Sequence, residues 1–186
     1  MLKRCFIAYE LSGAVCETIV AIQQKLPLDN PGLSGARYIH PEQFHITLHF
    51  LGDLDEQKIQ VVQDVLQHAI TQTTALKLEL GKFDAFPNVN AALVLILTLA
   101  GSEFKLATTL HAQLAHALQA AGLPFDQRPW KPHITLARLR YPQPVTLKTL
   151  PMAEPFGITH VSLMESRLTP AGPEYLPIKR FTLPTV

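Results

Sequence analysis

The chain has 186 residues, 47% of them apolar and 17% charged, with a formal net charge of +1. That is enough apolar material for a real core, in one sizeable domain or two small packed lobes. The near-neutral balance argues against a protein that wraps long nucleic acid by counterion release alone, while leaving room for a locally basic cleft. Cys5 and Cys16 stand isolated, with no CxxC spacing, so reduced thiols and a cytoplasmic setting are expected rather than a disulfide. The N-terminus lacks the shape of a secretory signal. Ala91 to Ala100, the most apolar run, is about half the length of a membrane-spanning helix. It reads as a strand buried on both faces, and no membrane association is expected.

In chain order, Cys5 to Leu11 is a strand, and Ser12 then stands as an N-cap before Val15, Ile19, Ile22 and Leu26 at helical spacing. Pro27 to Gly35 reads as a loop and Phe44 to Leu51 as a second strand, closed by Gly52-Asp53. Asp55 caps a helix whose face is Ile59, Val62, Leu66, Ala69 and Ile70, ending near Gln72. Strands at Leu76 to Phe83 and Ala91 to Leu99 flank a turn at Pro87-Asn88. A helix follows on Leu106, Leu110, Leu114, Ala117 and Leu118, stopping at Gly122. Pro124 to Pro132 is a loop and His133 to Leu139 a strand. Gly157 to Leu168 and Tyr175 to Leu183 are extended, around a Pro170-Ala171-Gly172-Pro173 turn. Strands and helices mix without strict alternation, which predicts an α+β fold.

One feature of the sequence departs from chance. The tetrapeptide His-Ile-Thr-Leu occurs at 45–48 and again at 133–136, each time after a proline-bearing loop. A single His-x-Thr is expected roughly 0.6 times at this composition, whereas two copies of the tetrapeptide have a chance expectation on the order of one in ten thousand. On a strand, His45 and Thr47 share one face about 6.6 Å apart, and Ile46, Leu48 and Phe50 point to the core. His133 and Thr135 behave likewise over Ile134 and Leu136. Brought together, the strands make a polar floor of two imidazoles and two hydroxyls. That floor suits in-line opening of an RNA-type 2',3'-cyclic phosphate. One histidine takes a proton from water, the other protonates the departing oxygen, and the threonines donate to phosphate oxygens. The scheme needs neither metal nor cofactor.

These motifs, with Arg4-Cys5-Phe6-Ile7-Ala8, Phe44 to Gly52, Pro132 to Arg138 and Tyr175 to Phe181, resemble the two-histidine (2H) phosphoesterases. Within them the sequence is similar to the bacterial RNA 2',3'-cyclic phosphodiesterases, historically called 2'-5' RNA ligases. The resemblance runs nearly end to end. It implies a bilobal fold of two pseudo-symmetric lobes, mainly antiparallel sheet with outer helices, around a central cleft, as a single domain over 1–186. It also implies His45 as proton donor, His133 as proton acceptor and a 2'-phosphate product. The implied partners are RNA with cyclic phosphate ends or cyclic nucleotides, acted on by a monomer. Tyr38 stands where a tryptophan is common in the family. A ligase running the same chemistry backwards, and a non-catalytic RNA- or nucleotide-binding module, are the competing readings.

The remaining candidates are weaker. His49 shares the expected cleft-facing parity of His45, about 13 Å away, and either meets substrate beyond the phosphate or is a plain surface histidine. Its spacing from His45 matches a zinc-protease helix, but Ile46 follows where glutamate is needed, so no metal site is expected. Arg138 is attractive as a phosphate clamp, yet strict alternation turns it away from the catalytic pair unless the strand bulges. Phe6 and Tyr175 are candidates to stack a base, with core packing favoured for Phe6. His111 and His116 read as surface residues. Lys131, Arg138, Arg140, Lys179 and Arg180 form either a basic rim or ordinary solvated charge.

Overall fold

A computed structural model describes residues 1–147, 154–170 and 172–185. The continuous apolar run of the first segment yields β1 (Lys3–Glu10), whose Cys5 to Tyr9 are all buried, as suits a strand inside its sheet. Helix α1 (Gly13–Asp29) follows, then the short β2 (Arg37–Tyr38) and the first motif strand, β3 (His45–Leu54). Helix α2 (Glu56–Ile70) starts where Asp55 accepts from the Lys58 amide at 2.8 Å, a cap that contributes about 1 kcal/mol. Strands β4 (Leu76–Phe86) and β5 (Ala92–Ala100) lead to α3 (Phe104–Ala120) and the second motif strand, β6 (His133–Gln143). The chain closes with β7 (Phe156–Ile158), β8 (His160–Thr169) and β9 (Gly172–Thr182).

The strands form two antiparallel sheets, ordered β3-β1-β8-β9 and β2-β6-β5-β4-β7. The repetition seen in the sequence is now a repetition in space. In lobe one, β1 leads through α1 to its antiparallel neighbour β3; in lobe two, β5 leads through α3 to its neighbour β6. The two motif strands approach each other where the lobes meet. Ile46, Leu48, Ile134 and Leu136 are buried beneath them and anchor both strands in the core. Among the described residues no helix is long and apolar enough to cross a membrane, and the apolar run at Ala91 to Ala100 is strand β5 almost from end to end.

Several expectations need correction. The segment from Pro27 is not all loop, because α1 continues through Pro27 to Asp29. A proline in a last turn removes only one amide from the ladder, which packing on Leu26 and its neighbours outweighs. Ser12 sits at the N-cap but makes no side-chain cap bond. Leu106 is 41% exposed, and the buried face of α3 is Ala107, Leu110, Leu114 and Leu118. The extended segment from Gly157 is split between β7 and β8, and Ala171 of the expected turn lies outside the described residues.

The most consequential correction concerns parity. Both motif strands bulge one residue after the threonine. Opposite β1, Ile7 pairs with His49 and Ala8 with Thr47, leaving Leu48 extra; opposite β5, Leu95 pairs with Ala137 and Ile96 with Thr135, leaving Leu136 extra. An extra residue reverses the alternation of everything beyond it. Hence His49 turns inward and Phe50 outward on β3, and Ala137 turns inward and Arg138 outward on β6.

Candidate active site

A cleft of about 440 Å³ opens between the lobes, and His45, Thr47, His133 and Thr135 all line it. Each histidine enters its strand from a loop that supplies a backbone carbonyl two residues earlier. His45 Nδ1 donates to the Gln43 carbonyl at 2.7 Å, and His133 Nδ1 donates to the Lys131 carbonyl at 2.6 Å. A carbonyl can only accept, so Nδ1 carries the proton in both rings, and Nε2 of each is the atom that gains or loses one. The Thr47 hydroxyl lies 3.0 Å from His45 Nε2.

The electrostatics of the pair are those of buried neutral rings. Burial above all lowers the pKa of His45 to about 4, helped by the charges of His133 and Arg138 and opposed by the Gln43 carbonyl. His133 is lowered too, by burial first and by Arg138, against the pull of the Lys131 carbonyl. A half-buried imidazole with no anion beside it is poorly solvated when charged. The free cleft therefore favours two neutral histidines.

Around the pair the two lobes differ. On the lobe-one side, Phe6 packs on the His45 ring with centroids 5.0 Å apart, and Tyr175 meets both rings edge-on at 5.1 Å. Phe6 is 2% exposed, so its ring backs the histidine more than it faces the cleft. Tyr175 is half-buried and lines the opening. On the lobe-two side Phe86 meets the His133 ring edge-on at 5.0 Å, and Arg138 is turned into the cleft by the bulge. Arg4 and Arg128 also line the cleft, Arg128 in an ion pair with Asp126. The other proposed rim cations point elsewhere: Lys131 lies over Phe86, Arg140 over Tyr141, Lys179 over Phe181, and Arg180 is paired with Glu10.

His49 is corrected outright. It is 2% exposed, its Nε2 donates to the His111 carbonyl at 3.0 Å, and it stacks on His111 at 4.2 Å. His111, expected on the surface, is sandwiched, with Trp130 stacked on its other face at 4.4 Å. Trp130 Nε1 in turn donates to the Thr47 carbonyl at 2.9 Å. His49 thus ties β3 to α3 and to the loop before β6 instead of meeting substrate. Sequence reading missed Trp130, Gln43, Arg4, Arg128 and Phe50. For Phe50 a signal existed only in hindsight, as the two motif strands share a bulge and Phe50 and Arg138 stand at the same offset. Among the described residues no group of three or more His, Cys, Asp or Glu side chains is placed to hold a metal ion.

Known proteins share this fold. A two-lobed antiparallel fold carrying one His-x-Thr strand per lobe matches, at the level of the backbone, the crystal structure of TT0787 from Thermus thermophilus. The TM-score is 0.78 at 29% identity, covering 98% of both chains. Escherichia coli LigT shares the fold, with a TM-score of 0.75 at 21% identity over 100% of this chain and 99% of that one. The RNA 2',3'-cyclic phosphodiesterase of Bacillus subtilis is 31% identical over 166 residues, 83% of this chain and 85% of that protein. Its counterpart in Archaeoglobus fulgidus is 28% identical over 185 residues, 96% and 99% of the two. A family model described as the 2'-5' RNA ligase superfamily matches residues 16–169. The chain belongs to the 2'-5' RNA ligase superfamily of two-histidine phosphoesterases.

Proposed function

We propose that this protein hydrolyses 2',3'-cyclic phosphate ends of RNA or nucleotides to 2'-phosphates, working as one bilobal unit. One observation carries the reading: both imidazoles of a single cleft are tethered through Nδ1 to a carbonyl two residues back, which dedicates both Nε2 atoms to proton transfer. Relatives named RNA 2',3'-cyclic phosphodiesterase support it. Two free cysteine thiols fit a cytoplasmic setting.

In the reaction, His133 Nε2 takes a proton from water as the water oxygen attacks phosphorus. On the opposite side His45 Nε2–H gives its proton to the 3'-oxygen as that P–O bond breaks, leaving the phosphate on O2'. Thr47 and Thr135 donate to non-bridging oxygens, and Arg138 holds the phosphate charge. The low pKa of His45 in the free protein makes the substrate itself part of the device. An anion placed between the imidazoles stabilises their charged forms, so phosphate binding loads the acid. Phe6 and Tyr175 hold the His45 ring in line. No metal enters the scheme.

The test is turnover of a 2',3'-cyclic nucleotide in EDTA by the wild-type protein, His45→Ala and His133→Ala. Chelator-resistant hydrolysis and losses of at least about a hundredfold in each variant are expected. Activity that vanishes with chelator, or survives in both variants, overturns the mechanism. Adding RNA with a 5'-hydroxyl end tests ligation, in which that hydroxyl attacks phosphorus in place of water, read as a joined 2'-5' product.

A further inference from the structure

The sheet face that carries His133 does not end at the motif strand. His133 pairs across the sheet with Thr98 of β5, and Thr135 with Ile96, which pairs in turn with Asp84 of β4. Residues paired across antiparallel strands share a face, so the floor of the active site runs on from β6 toward β4. A second cavity, of about 570 Å³, opens over this stretch, with Asp84, Ile96 and Thr98 in its lining. Phe86 stands between it and the active site, since its ring meets His133 edge-on at 5.0 Å and also lines the cavity. Lys131 Nζ lies 5.9 Å from the centre of the Phe86 ring. Trp130, stacked by one face on His111, lines the cavity as well. The space beside His133 is thus bounded by two aromatic side chains and a cation.

In-line displacement decides what such a space can receive. The leaving O3' and its nucleoside lie on the side of phosphorus that faces His45, so whatever attacks arrives on the side of His133. Water has no bulk and needs no cavity there, whereas pockets of about 300–1,000 Å³ hold small organic molecules. We propose that this cavity is an acceptor subsite, which seats the first nucleoside of an RNA 5'-hydroxyl end so that its O5' takes the place of water. The role rests on the reading of His133 as the base. The acceptor nucleobase stacks against Phe86 and Trp130, a contact that tolerates any base, and Lys131 meets the phosphodiester that follows. His133 Nε2 takes the 5'-hydroxyl proton as the O5'–P bond forms, and His45 Nε2–H gives its proton to O3' as the P–O3' bond breaks. One phosphorus–oxygen bond replaces another, and the product is a 2'-5' linkage.

The experiment supplies 5'-phosphorylated uridine 2',3'-cyclic phosphate, which has no 5'-hydroxyl of its own, with methanol, adenosine or the dinucleotide ApA as acceptor. Wild type is expected to favour adenosine over methanol, per mole, by at least about tenfold, and ApA over adenosine. Phe86→Ala should cut the adenosine-to-methanol ratio about 5- to 100-fold, and Phe86→Tyr should restore it. Lys131→Ala should bring ApA down to the level of adenosine. A wild type that prefers methanol overturns the subsite, as does a Phe86→Ala loss equal for both alcohols, which would mean that Phe86 only supports His133. Trp130 is the one tryptophan of the chain and lines the cavity, so its fluorescence reads occupancy without turnover. With 2'-UMP saturating the catalytic cleft, adenosine should quench it in wild type and do so more weakly in Phe86→Ala. Quenching of that pattern in a protein that opens no cyclic phosphate sinks the hydrolytic reading alone. Hydrolysis with no Phe86-dependent quenching sinks the acceptor subsite alone.

Discussion

Gln23, on helix α1 of lobe one, donates its side-chain amide to the carbonyl of Leu136, the bulged residue of the lobe-two motif strand, at 2.8 Å. The same amide reaches the Ile39 carbonyl at 3.0 Å, and the Ile39 amide also donates to Leu136 at 2.9 Å. Lobe two returns the contact: Trp130 Nε1 donates to Thr47, and the Asp126 amide donates to Phe50 at 2.9 Å. Each lobe holds the other's bulge. The spacing of the two histidines and the aim of Arg138 and Phe50 are thus properties of the lobe interface.

Gln23→Leu therefore has two expected consequences. It takes one of two donors from the Leu136 carbonyl, which keeps the Ile39 amide, costing about 0.5–1.5 kcal/mol of stability. It also loosens the bulge that turns Arg138 into the cleft, so kcat/KM falls. Combined with Arg138→Ala, the kinetic loss should be less than the sum of the two single losses, because both act through one side chain. Denaturant melts and steady-state kinetics on the four proteins settle it; full additivity would disconnect Gln23 from Arg138.

Arg138→Ala is expected to lower kcat/KM about 10- to 100-fold by withdrawing the charge that meets the phosphate. It also removes a cation that depresses both imidazoles. The NMR titration midpoints of His45 and His133 should move upward in the variant, a shift that a merely structural role does not produce.

The pH dependence of turnover should differ between kcat/KM and kcat. In the free protein His45 sits at about 4 and His133 below the ordinary histidine value. The form with one proton on the pair is then most populated in mildly acidic solution, and the kcat/KM bell is expected to have its maximum below about pH 6.5, the ordinary histidine value. Substrate anion raises both groups, so the kcat bell lies at higher pH. Coincident bells, recorded on one cyclic nucleotide, would mean that phosphate does not load the acid.

Stability should fall in acid for a related reason. His45, His49, His111 and His133 are all lowered in the folded protein, mainly by burial, His45 and His111 to about 4. Between about pH 4 and 6.5 the unfolded chain binds more protons than the folded one. The contribution is full above about pH 6.5 and is lost as pH falls toward about 4, on the order of a few kcal/mol in total. His111→Phe keeps a ring between His49 and Trp130 without a titrating nitrogen, and its Tm should decline less steeply over that window. A Tm that stays constant across the same window would contradict the burial of neutral rings.

Much of the site was legible from the chain alone because its signal is local. Two copies of His-Ile-Thr-Leu on strands required two imidazoles and two hydroxyls above two apolar anchors, and the structure places all four polar side chains in one cleft. Amphipathic spacing located α2 and α3, and the cap at Asp55 was readable because capping is decided within one turn. The bulges were not readable in this way. A bulge arises when a strand's neighbours satisfy its backbone out of step, and the neighbours of β3 and β6 are distant segments: β1, β5, Gln23, Ile39 and Trp130. Alternation from the motif therefore held through Leu48 and Leu136 and failed at the next residue. The sequence by itself determined which four polar side chains the two motif strands bring to the cleft. Tertiary structure decided what surrounds it, sending His49 into a ring stack and bringing Phe50 and Arg138 to opposite walls, because side-chain direction past a bulge is set by pairing across the sheet.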